Sequence, residues 1–240
     1  MAIDYTKRNR TPQTPPPAPQ SPPAPQSPPP ASQAASAPRV NLGKIALTKQ
    51  SPTVSLAKPG ATGGTIRVNL NWAQDSKAKA GFFGKLKGGI DLDLRCLYEL
   101  GDGTKSAIGA LDRRFGALDK PPFIQLDQDD RSGTSTSGEN MFVNLADPSK
   151  FRRILIWADI YAGTPNWAAV DGVVTIESQY GPPIEVRMDS ESNNHRTASI
   201  ALIEVGPQGV TITRAVDYFS DARKMDAQFR WGLNWGSGKK

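Results

Sequence analysis

The chain has 240 residues, 38% hydrophobic and 22% charged, with a formal net charge of +6, one cysteine and one histidine. A single cysteine excludes an internal disulfide framework and any dithiol redox motif, and a single histidine with no cysteine set excludes a zinc-finger type of site. The positive charge is less telling: up to Gly60 seven basic residues stand against Asp4 alone, whereas the rest carries 22 basic and 22 acidic residues, so no basic recognition surface is forced on the folded part.

The N-terminus, "MAIDYTKRNRTPQ", has no apolar core of the kind a signal peptide needs. No later stretch approaches the roughly 20 apolar residues of a membrane span, and a soluble cytoplasmic protein is expected. From Thr11 to Pro38 the chain reads "TPQTPPPAPQSPPAPQSPPPASQAASAP", with twelve prolines, no charge and no bulky aliphatic or aromatic side chain. Such a segment cannot bury a core. It is expected to form an extended polyproline II tether over residues 1–38, a spacer rather than a ligand for a PxxP-reading groove, ahead of one globular domain over residues 39–240. The basic residues of "KRNR", with Lys44, Lys49 and Lys58, are sparse and lack interleaved aromatics. They support weak, salt-sensitive contact with nucleic acid or an acidic membrane surface, and no specific nucleic-acid partner.

Within the domain the apolar period is two. "TIRVNLNW" puts Ile66, Val68, Leu70 and Trp72 on one face, and "GVVTIES", "PIEVRM", "RTASIALIEV" and "GVTITRAV" repeat the pattern between "GPP" and "GPQG" turns. "GGIDLDLRCLYEL" alternates Ile90, Leu92, Leu94, Cys96, Tyr98 and Leu100 with Asp91, Asp93, Arg95 and Glu99, which predicts a half-buried strand with a buried, inert thiol at Cys96. The "GDG" that follows reads as a hairpin turn. "RRILIWADIY" is apolar on both parities, as a central strand covered on two sides would be. "DYFSDARKMDAQ" predicts the one short helix, and the terminal "FRWGLNW" alternates again as a strand does, with Phe229, Trp231 and Trp235 on one side. Trp72, Trp157, Trp231 and Phe229 are expected in the core. Many short strands and almost no helix predict a mainly β fold, a two-sheet β-sandwich.

Aspartate is poorly suited to strands, and Asp91 and Asp93 share one face, where they repel. From Asp91 to Glu139 there are ten carboxylates against six basic residues, the one strongly acidic region of a neutral domain. Its densest part, "QLDQDDRSGTSTSGEN", offers Asp127, Asp129, Asp130 and Glu139 among serines and glycines. Hard oxygen donors on a flexible loop suit Ca²⁺, which takes about 6–8 oxygen ligands. The spacing is not that of an EF-hand: with Asp127 in the first position Arg131 falls in the fifth, and Gly138 stands where the terminal glutamate belongs. A solvated acidic loop is the plainer alternative. A cation shared with the "DLDL" strand would give Asp91 and Asp93 a reason to be there.

"GGIDLDLRCLYEL", "LDQDDRSG", "GENMFVNL" and "RRILIWADIYAG", in that order, resemble the TerD family of bacterial tellurium-resistance and stress proteins, over about Val40 to Gly238. The proline-rich segment and the thinner acidic loop look most like its TerA branch. The resemblance implies a Ca²⁺-binding β-sandwich without catalytic activity, working with other tellurium-resistance or stress proteins in the cytoplasm or in a membrane-associated complex at the inner face of the membrane. The family's D-x-D-L-D element falls on Asp91 and Asp93, and its G-D-N-x-T-G element on Gln128 to Gly133. Asp129 is then the equivalent aspartate, and Asp130 stands where asparagine is usual. The family's acidic run is reduced here to Glu139. The implied metal ligands are therefore Asp91, Asp93, Asp129, Asp130 and Glu139, for one Ca²⁺ of reduced affinity or two with one vestigial.

No catalytic constellation competes. His195 sits in the polar "ESNNHRTAS", no G-x-S-x-G is present, and neither "ELGDGTKS" nor "GKLKGG" is a phosphate loop. Trp167 in "YAGTPNWAAVDG" is expected in a loop, either exposed as a contact for a glycan or peptide or folded back on the sheet. The exposed version is the basis of an alternative function, a glycan- or peptide-binding sandwich with a vestigial metal site.

Overall fold

A computed structural model describes residues 43–56, 64–72, 91–127, 138–163, 165–179, 181–188 and 194–236. The proline-rich segment, Asp129 and Asp130 lie outside the described residues. Among those described, thirteen strands form two sheets. The seven-stranded sheet contains β1 (Ile45–Leu47), β3 (Thr65–Asn71), β6 (Gly116–Ala117), β7 (Ile124–Leu126), β8 (Glu139–Asn144), β10 (Val173–Glu177) and β11 (Ile184–Arg187), in the order β1-β11-β10-β3-β8-β7-β6. The six-stranded sheet contains β2 (Thr53–Ser55), β4 (Asp91–Leu100), β5 (Lys105–Ile108), β9 (Phe151–Ala162), β12 (Thr197–Gly206) and β13 (Gly209–Phe219), in the order β2-β13-β12-β9-β4-β5. The β1–β11 pair is parallel and the other ladders are antiparallel.

The expected two-sheet sandwich is what the chain forms. Ile66, Val68 and Leu70 of β3 and Met141 and Val143 of β8 meet Leu92, Leu94 and Cys96 of β4 and Ile154, Ile156 and Ala158 of β9 in one buried cluster between the sheets. Each fully buried aliphatic side chain there contributes about 1.5–3 kcal/mol. The turn read in "GDG" joins β4 to β5: Gly103, at φ 88°, donates to Leu100 O, and the Leu100 amide donates to Thr104 O.

Strand β9 is internal to its sheet and buried on both sides, as its sequence requires. Its second face, with Leu155 and Trp157, joins Leu97 of β4, Phe219, Met225 and Trp231 in a smaller cluster on the outside of the six-stranded sheet. Its cover is the helix α2 (Ala222–Phe229), in the predicted place, and the segment after it. Asp221 caps α2 by accepting the amides of Arg223 and Lys224, and Arg230 ends it in the left-handed region at φ 54°.

Two expectations change here. The strand expected over "FRWGLNW" does not form: Phe229 closes α2, and Trp231 to Gly236 run outside any ladder. Its alternation has another cause, because Trp231 is buried against the sheet while Gly232 is exposed. Strand β4 is not half-buried either. Asp93, Arg95, Leu97 and Glu99 on its outer face are all buried under this cover. Trp72 and Phe229 are partly buried, the one against the main core and the other against the outer cluster.

Candidate cation site at the mouth of the sandwich

The outer face of β4 explains part of what its charged residues do. Asp93 stands directly opposite Asp159 of β9 in the ladder, and between Asp91 and Leu92 the register skips Tyr161 of β9. Asp159 is held by Thr197, whose hydroxyl donates to Oδ1 at 2.6 Å, and by Arg95, whose Nη1 donates to Oδ2 at 3.2 Å. Burial pushes the Asp159 carboxyl up, the Thr197 bond and the Arg95 charge pull it down, and the Asp112 charge raises it again. Arg95 also reaches Asp112 through Nη2 and lies over the Trp157 ring, 4.7 Å from its centroid. Sequence reasoning did not single out Arg95, Asp112, Asp159 or Thr197. The signal was available in "RRILIWADIY", where one carboxylate interrupts a strand that is apolar on both parities.

Glu139 comes to β4 from the other sheet. The chain re-joins the seven-stranded sheet through Gly138, at φ 68°, where a Cβ would lie 2.1 Å from Leu70 O. Only glycine fits such a backbone and such a close approach. Glu139 then shares the inward parity of Met141 and Val143, and its Oε2 accepts the backbone N–H of Leu94 at 2.5 Å. The adjacent Asn140 is committed elsewhere, its Oδ1 accepting from Arg67 Nε and Asn69 Nδ2, each at 2.9 Å. The backbone N–H of Asp127 donates to Asn140 O at 2.8 Å, so the two stems of the acidic segment are tied together beside Glu139.

Of the five residues expected to ligate a metal, Asp91, Asp93 and Glu139 are thus placed, with Glu139 against the residue that follows Asp93. Asp129 and Asp130 lie outside the described residues. Among the described residues no three carboxylate, histidine or cysteine side chains gather tightly enough to hold a metal by themselves. The donor chemistry at hand is carboxylate oxygen, which suits a hard cation.

Trp167 is fully buried in the short helix α1 (Trp167–Val170). Its Nε1 donates to His195 O at 2.7 Å, and its ring packs on Tyr218 with centroids 5.8 Å apart. The folded-back reading is the one realised, and the exposed contact is withdrawn. Cys96 faces the main core, and burial pushes its thiol up to about 12.

No family model matches the chain. Over 205 residues, 84% of its length, it is 41% identical to the tellurium resistance protein TerA of Alcaligenes sp., and it spans 60% of that relative's length. The crystal structure of a homologue of the telluride resistance protein TerD from Streptomyces coelicolor A3(2) aligns with a TM-score of 0.47 at 16% identity, covering 69% of this chain and 95% of that one. That likeness is too loose to carry residue correspondences.

Proposed function

We propose, from the 41% identity to TerA over 84% of the chain, that it is a TerA-like member of the TerD family and a non-catalytic, Ca²⁺-binding interaction module of a tellurite-resistance and stress-response system. The observation that carries the reading is the Glu139 to Leu94 bond, which brings the head of β8 onto the strand that bears Asp91 and Asp93. These three carboxylates would hold the cation together with Asp129 and Asp130, which follow Asp127 and Gln128 in the chain. The cation would supply charge. It would offset the repulsion between like-charged carboxylates and cross-link β4 to the connection between β7 and β8, giving that end of the sandwich a fixed shape for a partner to read.

The partners in this reading are other tellurium-resistance or stress proteins, in the cytoplasm or peripheral to the inner face of the membrane. No helix among the described residues is long and apolar enough to cross a membrane. Thermal unfolding of the chelator-stripped protein tests the metal half of the proposal. Calcium is expected to raise the midpoint of the native protein and to leave that of Asp129→Ala unmoved. An equal rise in both would remove the site from this loop.

A further inference from the structure

On the outer face of the six-stranded sheet a groove of about 940 Å³ opens between β5, the start of α2 and the segment from Gly232 to Gly236, with Arg95 and Asp112 in its wall. We propose that it binds a small phosphorylated ligand with a flat ring, of the nucleoside monophosphate type. The volume lies within the roughly 300–1,000 Å³ of small-molecule pockets.

The case starts from charge. Lys105, Arg114 and Arg223 line the groove. Arg114 donates to the Ser106 hydroxyl at 3.2 Å, and Arg223 donates to the carbonyls of Trp235 and Gly236 at 3.4 and 3.3 Å. Among the described residues neither arginine has a carboxylate partner. Lys105 shares Glu99 with two arginines, at 3.6 Å, and donates to Trp231 O at 3.2 Å. Two carboxylates also line the groove, but both are engaged: Asp112 with Arg95, and Asp221 with the α2 amides that it caps. The lining therefore carries an excess of cations, and two guanidiniums hold only neutral acceptors. A guanidinium in that position takes a doubly charged oxyanion in bidentate fashion, and an excess of fixed positive charge draws it in.

The second element is Trp235. Its Nε1 donates to Asp226 Oδ2 at 2.9 Å, and its ring makes a T-shaped contact with Trp157, with centroids 6.4 Å apart and the planes at 79°. The indole is thereby fixed in orientation while it remains partly exposed in the groove wall. A rigid aromatic beside a cationic cluster offers a stacking surface to a planar ring at little cost in ordering.

The experiment is calorimetric titration of the full chain, in chelator, with adenosine monophosphate, adenosine and inorganic phosphate as separate probes. Chelator removes any bound metal, so the result is independent of the calcium proposal. Adenosine monophosphate is expected to bind more tightly than either fragment, and the Arg114→Ala/Arg223→Ala double variant to weaken it about tenfold or more. Both changes are at the surface, and a control pair elsewhere, Lys120→Ala/Arg187→Ala, is expected to leave the affinity unchanged. Equal weakening in the control would overturn the site by reducing it to net charge. Absence of binding to the native chain, or equal affinity for adenosine monophosphate and inorganic phosphate, would overturn it as well.

Discussion

Glu139 of the seven-stranded sheet closes on the backbone N–H of Leu94 in the six-stranded sheet, 2.5 Å away. A side chain of one layer thus fixes the backbone of the other beside Asp93. A hydrogen bond from a backbone amide to a charged acceptor is worth about 1.5–3 kcal/mol when partly buried. Glu139→Ala should lower stability by that order, read as a shift of the urea midpoint at constant slope. A variant within about 0.3 kcal/mol of the native protein would show that the bond carries no weight.

A second carboxylate holds the cover over the outer face. Asp226, itself buried, accepts the amides of Gly232 at 2.7 Å and Leu233 at 2.9 Å and the indole N–H of Trp235 at 2.9 Å. Asp226→Ala leaves three donors without their acceptor, and a loss of about 3 kcal/mol is expected. Tryptophan emission should move to the red as Trp235 and Trp231 gain water. Unchanged emission would contradict the role of Asp226 as the anchor of this segment.

Glu99 gives the protein an acid-sensitive contact. Burial raises its carboxyl, but the hydrogen bond from Arg153 at 2.7 Å and the charges of Arg153, Lys105 and Arg152 outweigh burial and hold it below its ordinary 4.5. With the folded value the lower of the two, the stabilisation is present above 4.5 and is lost as pH falls through the folded value. Glu99→Gln should therefore be less stable than the native protein at neutral pH, with the gap narrowing as pH drops below 4.5. A gap that stays constant through that window would contradict the ion-pair account.

Cys96 is buried in the main core with its thiol raised to about 12, the cost of placing a thiolate there. It should resist alkylation in the native state at a pH of about 8 and react at once in denaturant. Rapid native labelling would show that the core opens at β4.

Much of the fold was legible in the sequence because it rests on period two. β3, β10, β11, β12 and β13 each carry alternating apolar residues, and β9 announces its central place by being apolar on both sides. The outer face was not legible. An extended segment that lies on apolar surface alternates just as a paired strand does, so "FRWGLNW" gives no sign that its partners are side chains of β4 and β9 rather than a ladder. For the same reason β4 reads as half-exposed although α2 and the tail bury it. Of the candidate site, Glu139 and the Asp91–Asp93 strand could be read as acidic and unusual. Their meeting depends on the inward turn at Gly138, a long-range contact that spacing alone does not encode.

The central claim is that this end of the sandwich holds calcium. The most direct measurement is calorimetric titration of the chelator-stripped chain with Ca²⁺, then with Mg²⁺, and again on Asp129→Ala and Glu139→Gln. The account predicts saturable calcium binding in preference to magnesium, abolished in the first variant and weakened in the second. No heat of binding up to about 1–10 mM calcium, beyond the weakest oxygen-ligand sites, or titrations unchanged by both substitutions, would contradict it.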